Sequence, residues 1–350
     1  MKINNLVDKA KDALIQCLQD IPFVSIDSVL SEPVINGKSA DLLVQLRTKD
    51  QTWMLIGEVK SDGQPLFARQ AVYQLLHFLS QFPTAYGVFI APYISPASAA
   101  ICREADIGYV DLAGNCFLAF DQVYIQREGN PNPFNEKRYL RSLYSPKSER
   151  LLRVLLAAGR KQWKVEELAR EAQVSLGQVA NVKQLLRERE WLKSETVGFG
   201  LSEPAALLEE WSQNYKFRRN RVLDYYTIQE ISSLEYRLAE VCQDRNIRYG
   251  LTGFSGAARY APSVRYQRAM AFVQYDLESL ATGLDIKPVT SGANLSLFIP
   301  YDEGVFYAAE VIGGVRVVSP TQIYLDLKGY RGRGEEAAET LFNQVIKIKW

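Results

Sequence analysis

Asp41, Glu58 and Lys60 stand out first, because two carboxylates and a lysine at this spacing suit metal-assisted attack on a phosphodiester. Asp41 begins an extended-looking run at 41–47 (DLLVQLR), and Glu58-Val59-Lys60 closes the next one at 52–60. Side chains alternate along a strand, so Glu58 and Lys60 fall on one face. If the two runs form a hairpin, Asp41 lies beside Glu58 across the ladder. Carboxylates placed together in this way attract a divalent cation, most naturally Mg²⁺, which takes oxygen ligands and keeps several waters. The Val59 backbone carbonyl is a candidate third ligand. Lys60 would then orient or help deprotonate the attacking water and stabilise charge building on a phosphate. The triplet Glu-x-Lys is a weak signal by itself, since a solvated strand end offers the same residues.

The remaining composition directs any catalysis toward these residues. The 350 residues contain a single histidine, which excludes histidine-rich zinc sites and leaves a serine–histidine apparatus only His77 to use. His77 sits in the apolar stretch VYQLLHFL, where a core or half-buried place is expected. Cys17, Cys102, Cys116 and Cys242 are widely spaced, with no CxxC pair, and point to neither a zinc knuckle nor a disulfide framework. Scattered thiols suit a reducing, cytoplasmic setting. The opening MKINNLVDKAKDALIQ has the spacing of an amphipathic helix rather than of a signal peptide, and no apolar run is long enough for a membrane span. The 41 Lys+Arg and 40 Asp+Glu nearly cancel.

The elements that must carry Asp41 and Glu58 follow from periodicity. An apolar stripe predicts a helix over 3–20, and strands are expected at 24–29, 41–47 and 52–59. A helix is expected at 66–82, stopped by Pro83. The nearly all-apolar AYGVFIA at 85–91 has the pattern of a strand buried on both faces. A helix at 95–105 and strands at 109–112 and 116–125 complete an α/β domain over 1–128. Between those last strands, GYVDLAGN is expected to turn, with Asp111 either part of the turn or near the metal site. GNPNPFNEK at 129–137 reads as a linker.

The order of helix, strands, long helix and buried strand, with Asp41 and Glu58-x-Lys60 on adjacent strands, resembles the PD-(D/E)xK nuclease superfamily. Ala40 stands where the name-giving proline would be. The resemblance implies a restriction-endonuclease-like domain in which Asp41, Glu58 and Lys60 are catalytic and Mg²⁺ is held by Asp41, Glu58 and Val59. Gln70, early in the following helix, takes the place where many members carry a further polar residue near the metal.

Residues 138–222 form a second expected domain. Helices are predicted at 148–158, 165–172 and 176–189, with Ser175 a good N-cap for the third. Short strands at 192–195 and 198–201 would make a wing. The set resembles bacterial winged helix-turn-helix regulators, in which the N-terminal half of the third helix enters the major groove of double-stranded DNA. On that basis Leu176, Gly177, Gln178, Asn181, Lys183 and Gln184 face outward. Gln178, Asn181 and Gln184 are of types that can reach base edges, while Ser175 and Lys183 suit phosphates. Residues 145–221 hold 15 Lys+Arg against 10 Asp+Glu, a local +5 in a chain that totals +1. Part of it is a cluster, Lys216, Arg218, Arg219 and Arg221, expected at the end of a long polar helix. Such a field suits phosphate binding, although winged helices also dock proteins.

Residues 223–350 are expected to form an α+β domain. It contains YGLTGFSG at 249–256, VSPTQIYLDL at 318–327 and GYRGRGEE at 329–336. With the winged helix upstream, these strings resemble the AbiEi-type antitoxin and transcriptional-regulator family, in a larger form that carries an N-terminal extension. The resemblance implies a DNA-binding repressor or antitoxin of a type IV toxin–antitoxin system, whose partner toxin is a nucleotidyltransferase. GFSGAARY could cradle a phosphate, but a nucleotidyltransferase site also needs a following acidic pair, and only Asp276-Leu277-Glu278 comes near. A structural turn is the expectation, with Glu335 and Glu336 favouring the start of the last helix. The fold class is thus multidomain α/β and α+β. The competing roles are a DNA-binding regulator, an Mg²⁺-dependent DNA endonuclease targeted by its winged helix, and a protein-docking scaffold.

Overall fold

The computed structural model describes residues 3–19, 21–35, 37–49, 51–82, 84–134, 143–195, 198–262, 265–274, 277–330 and 332–350. Pro83, the end of the linker at 135–137, and Asp276 lie outside the described residues. The chain divides into two compact units, residues 1–139 with 187–190, and residues 140–186 with 191–350.

The first unit runs α1 (Ile3–Gln19), β1 (Ser25–Ser31), β2 (Val34–Ile35), β3 (Lys38–Ser39), β4 (Leu42–Arg47), β5 (Thr52–Val59), α2 (Pro65–Leu79), β6 (Ala85–Ala91), α3 (Pro96–Glu104), β7 (Gly108–Asp111), β8 (Cys116–Phe120) and β9 (Val123–Arg127). Its seven-stranded sheet has the order β1-β4-β5-β6-β7-β8-β9. Strands β1, β4 and β5 form an antiparallel meander, β5, β6 and β7 are parallel, and β8 and β9 return antiparallel. The period of two in β4 divides the layers: Leu42, Val44 and Leu46 pack with Ala10, Leu14 and Leu18 of α1. Leu43 packs on the other side with Ala68 and Leu75 of α2. Strand β6, between β5 and β7, is covered on both faces, as its unbroken apolar run requires. This helix–meander–helix–strand order, with Asp41 and Glu58 at adjacent strand ends, is a mixed α/β domain.

Two local expectations resolve differently here. His77 is exposed rather than half-buried. The buried stripe of α2 is Ala68, Ala71, Val72, Leu75 and Phe78, and the run looked uniformly apolar because Tyr73 and Leu76 lie on its outer face at 79% and 47% exposure. Asp111, by contrast, belongs to its turn. Its buried carboxylate accepts hydrogen bonds from the Ile94, Ala113 and Asn115 backbone N–H groups and from the Asn115 side chain.

In the second unit α4 (Pro146–Ala157), α5 (Val165–Glu171) and α6 (Leu176–Glu188) precede the hairpin β10 (Leu192–Glu195) and β11 (Gly198–Leu201), a winged-helix arrangement. Then come α7 (Pro204–Asn214), β12 (Arg221–Tyr226), α8 (Ile231–Asp244), β13 (Tyr249–Leu251), α9 (Gly253–Tyr260), β14 (Ala269–Val273), α10 (Leu277–Leu284), β15 (Lys287–Pro288), β16 (Leu295–Ile299), β17 (Glu310–Ile312), β18 (Val315–Val317), α11 (Pro320–Lys328) and α12 (Arg333–Leu341). The mixed sheet has the order β15-β12-β16-β14-β13-β18-β17. One apolar core extends from Leu143 through the three helices to Ile346, so the segments 138–222 and 223–350 share it.

The basic cluster is not a helix end. Helix α7 stops at Asn214, a 3-10 turn spans Phe217–Arg219, and Arg221 opens β12. Phe217 turns inward against Phe298, with ring centroids 4.9 Å apart, and this pulls the chain out of helical register. The GFSG turn is likewise engaged internally. Thr252 donates to Asp326, and Ser255 Oγ accepts from the Met270 N–H at 3.0 Å.

Candidate functional site

The register of β4 on β5 decides the meeting of the first two carboxylates. Leu42 pairs with Gly57, so Asp41 and Glu58 are the next positions outward on the two strands. The Val59 backbone N–H donates to Asp41 Oδ2 at 2.7 Å, which fixes the aspartate against the end of β5. Lys60 Nζ donates to Glu58 Oε1 at 2.6 Å and to Gln74 Oε1 at 2.7 Å. Glu58 is 7% exposed. Burial raises its carboxyl above the ordinary range and the Asp41 charge adds to this, while Lys60 opposes it. The structure therefore brings Asp41, Glu58, Val59 and Lys60 together. Gln70 is exposed on α2, and the α2 residue that touches the constellation is Gln74, one turn later. The spacing of four residues on one helix face was the available signal.

Between β5 and α2, Gly63 lets the chain lie against the loop that follows β6. A Cβ there would lie 2.0 Å from the Tyr93 carbonyl oxygen, beside the bridge between Gly63 and Ile94.

Among the described residues no group of three His, Cys, Asp or Glu side chains could enclose a metal. Two carboxylates, Glu58 raised chiefly by burial and partly offset by Lys60, form a hard, oxygen-only donor pair. That set fits Mg²⁺, which fills most of its shell with water.

The third helix expected at 176–189 is α6, capped by Ser175 Oγ, which accepts from the Gln178 N–H at 3.2 Å. Ser175, Leu176, Gly177, Ala180 and Gln184 are exposed, and Asn181 is half-buried beside them. Gln178 points inward: its Nε2 donates to Ser148 Oγ on α4 at 2.8 Å. Lys183 lies over the Phe199 ring of the wing, 4.6 Å from its centroid. The wing itself is attached by paired backbone bonds between Trp163 and Phe199.

The basic excess is also partly internal. Arg150 Nε bonds both carboxylate oxygens of Asp302, at 2.8 and 3.0 Å. Arg219 lies 3.6 Å from Glu149 and over the Tyr301 ring, whereas Lys216 and Arg218 are exposed. Residues 201–347 match the family described as transcriptional regulator, AbiEi antitoxin, type IV toxin–antitoxin system.

No curated protein matches the chain. Among solved structures, EndoMS in complex with double-stranded DNA is 13% identical, over 30% of this chain and 44% of its own, with a TM-score of 0.23. A repair endonuclease from Pyrococcus abyssi is 12% identical, over 29% of this chain and 46% of its own, also with a TM-score of 0.23. The chain thus spans under half the length of these structures.

The segment that matches this family holds α4 through a buried polar joint. Arg153 is 1% exposed, and its Nε and Nη2 donate to Gln322 Oε1 at 3.0 and 2.7 Å. Gln322 Nε2 donates in turn to Asp326 Oδ1 and the Tyr215 hydroxyl oxygen, both at 2.9 Å. Glu149, fully buried, accepts from the Tyr301 hydroxyl and lies 3.7 Å from Arg153. Burial pushes the Asp326 carboxyl up to about 7, against hydrogen bonds from Thr252, Tyr215 and Gln322 that favour its charge. Two matched spacings of four, Glu149/Arg153 and Gln322/Asp326, carried the signal.

Proposed function

We propose that the protein is a cytoplasmic, DNA-binding transcriptional regulator of the AbiEi antitoxin type, with a nuclease-like domain in front of its winged helix. The observation that carries it is the exposed N-terminal face of α6, capped by Ser175 and standing beside the wing, in a protein whose C-terminal segment matches a regulator family. Asn181 and Gln184 supply base-edge contacts, while Ser175, Lys183, Lys216 and Arg218 serve phosphates. Gln178 braces the helix on Ser148, and Arg219 braces the turn at 217–219. The partner toxin implied for such an antitoxin is a nucleotidyltransferase.

Titrating duplex binding against salt tests the electrostatic part: affinity falls steeply as salt rises. Asn181→Ala costs roughly 1–3 kcal/mol against the preferred base pair, read with a panel of singly substituted duplexes. An unchanged preference across that panel places the reading face elsewhere. No duplex affinity at low salt favours a protein-docking scaffold.

The pairing of Asp41 with Glu58 favours a second activity, Mg²⁺-dependent DNA endonuclease. Asp41 and Glu58, with the Val59 carbonyl, would hold the ion, which when bound supplies positive charge against a phosphodiester. Lys60, steadied by Glu58 and Gln74, orients the attacking water and offsets charge on the phosphate. Protonating Glu58 weakens ion binding, so its raised carboxyl moves the loss of binding on acidification toward higher pH. Supercoiled DNA nicked in Mg²⁺ by the wild type, and left intact by Asp41→Ala and Lys60→Ala, establishes the enzyme. Intact DNA together with no Mg²⁺ binding leaves the regulator alone.

A further inference from the structure

Leu176 opens α6, and it is 54% exposed although the helix has a separate apolar side. Val179, Val182 and Leu186 fill that side and are buried. At about 100° per residue the outer side divides into two rows. Leu176, Ala180 and Gln184, spaced by four, form one row, and Gly177 and Asn181 form the next. Leu176 is therefore no part of the core, and it shares its surface with two amide side chains.

Gly177 adds a second observation. Its backbone is ordinary helix, and a Cβ there would meet only Ser175 Oγ, at 4.0 Å. Neither a left-handed turn nor crowding inside the protein calls for glycine, which weakens a helix relative to alanine. What the bare backbone allows is close approach of another molecule to the first turn of α6.

One leucine and one alanine offer far less than the ~800 Å² that each side of a stable protein interface buries. They do match a pyrimidine 5-methyl group, the apolar feature that a base pair displays in the major groove. Asn181 and Gln184 beside them can pair with polar base edges. Lys164, Arg170, Lys216 and Arg218, exposed in the same unit, complement the phosphates of such a partner.

We propose that Leu176 reads the 5-methyl group of a thymine in the major groove, and that Gly177 lets the first turn of α6 approach that base pair closely. This role presupposes that α6 binds DNA, and it names the base chemistry that the helix selects.

In the test the full chain selects a duplex from a random pool at low salt, and each thymine of that duplex is then replaced singly by uracil. The exchange removes one methyl group and leaves the hydrogen-bonding edges unchanged. At one position uracil weakens binding about fourfold, the worth of one buried methyl group. Leu176→Ala binds the thymine duplex that much more weakly and no longer distinguishes thymine from uracil there. Both residues are exposed, so the variants fold, and Gly177→Ala resists denaturant at least as well as the wild type. Gly177→Ala nevertheless binds the selected duplex at least about fivefold more weakly, because its added methyl meets the groove. Equal binding of thymine and uracil at every position overturns the proposal, as does a thymine preference that survives Leu176→Ala. So does a 5-methylcytosine pair that binds more tightly than thymine at the same position, or undiminished duplex binding by Gly177→Ala. Failure to select any duplex at low salt overturns DNA binding by α6 itself, and the thymine contact with it.

Discussion

Replacing Arg153 with methionine lowers the unfolding free energy of the second unit by about 3 kcal/mol, because it takes one of two cations from a buried carboxylate and leaves a buried amide oxygen unpaired. Glu149 stays fully buried with only Arg219, 3.6 Å away, to offset its charge, and Gln322 Oε1 loses both of its donors. The guanidinium also lies 5.1 Å from the centroid of the Trp211 ring, so packing is lost along with charge. Neither Glu149 Oε1 nor Arg153 Nη1 has a protein hydrogen-bond partner, so the joint holds less than it would with every polar atom satisfied. Denaturant titration followed by tryptophan fluorescence measures the loss. The companion variant Glu149→Leu/Arg153→Met should recover most of it, since an apolar pair removes the stranded charge with its partner. A single-variant loss under about 1 kcal/mol would be the value for an exposed pair and would contradict the burial.

Asp326→Asn should alter how stability depends on pH. An aspartate with a raised folded pKa keeps a proton that the unfolded chain has already released, so its contribution falls as pH rises. That contribution is fully present below the unfolded carboxyl value of about 3.9, and is lost as pH climbs through the folded value near 7. Between the two the slope is about 1.4 kcal/mol per pH unit. The asparagine variant lacks this slope. It can still accept from Tyr215 and Gln322, while its amide donates to Thr252. Unfolding free energies of both proteins at several pH values from about 4 to 8 give the difference. A difference that drifts in the variant's favour up to about pH 7 and then levels is the expected result. One that stays flat means that Asp326 titrates in the folded chain as it does in the unfolded one.

The two variants share a lesson about which residues announce themselves. Strand alternation placed Asp41 beside Glu58, because a period of two leaves an antiparallel hairpin few registers that keep Leu42, Val44 and Leu46 on one layer. The apolar run at 85–91 similarly required a central strand. Helix α6 and its Ser175 cap were readable from local spacing, as was the wing. The direction of Gln178 was not, since its partner Ser148 lies on another helix and a half-turn of χ angles separates a base from a bracing contact. Charge counting also overstated the basic field. It weighed Arg150, Arg153 and Arg219 equally with Lys216 and Arg218, but the first three are paired with Asp302 and Glu149 inside the second unit.

The lone histidine, the near-balance of charge and the periodicities were fixed by the chain itself: they directed any catalysis toward Asp41, Glu58 and Lys60 and set the order of helices and strands. Only the tertiary structure decided that Gln74 rather than Gln70 meets Lys60 and that Arg153 and Asp326 share a buried joint. Periodicity is a property of neighbours a few residues apart. Burial and pairing depend on which faces meet after the chain has closed long loops, and a local spacing of four marks only that two residues share a helix face.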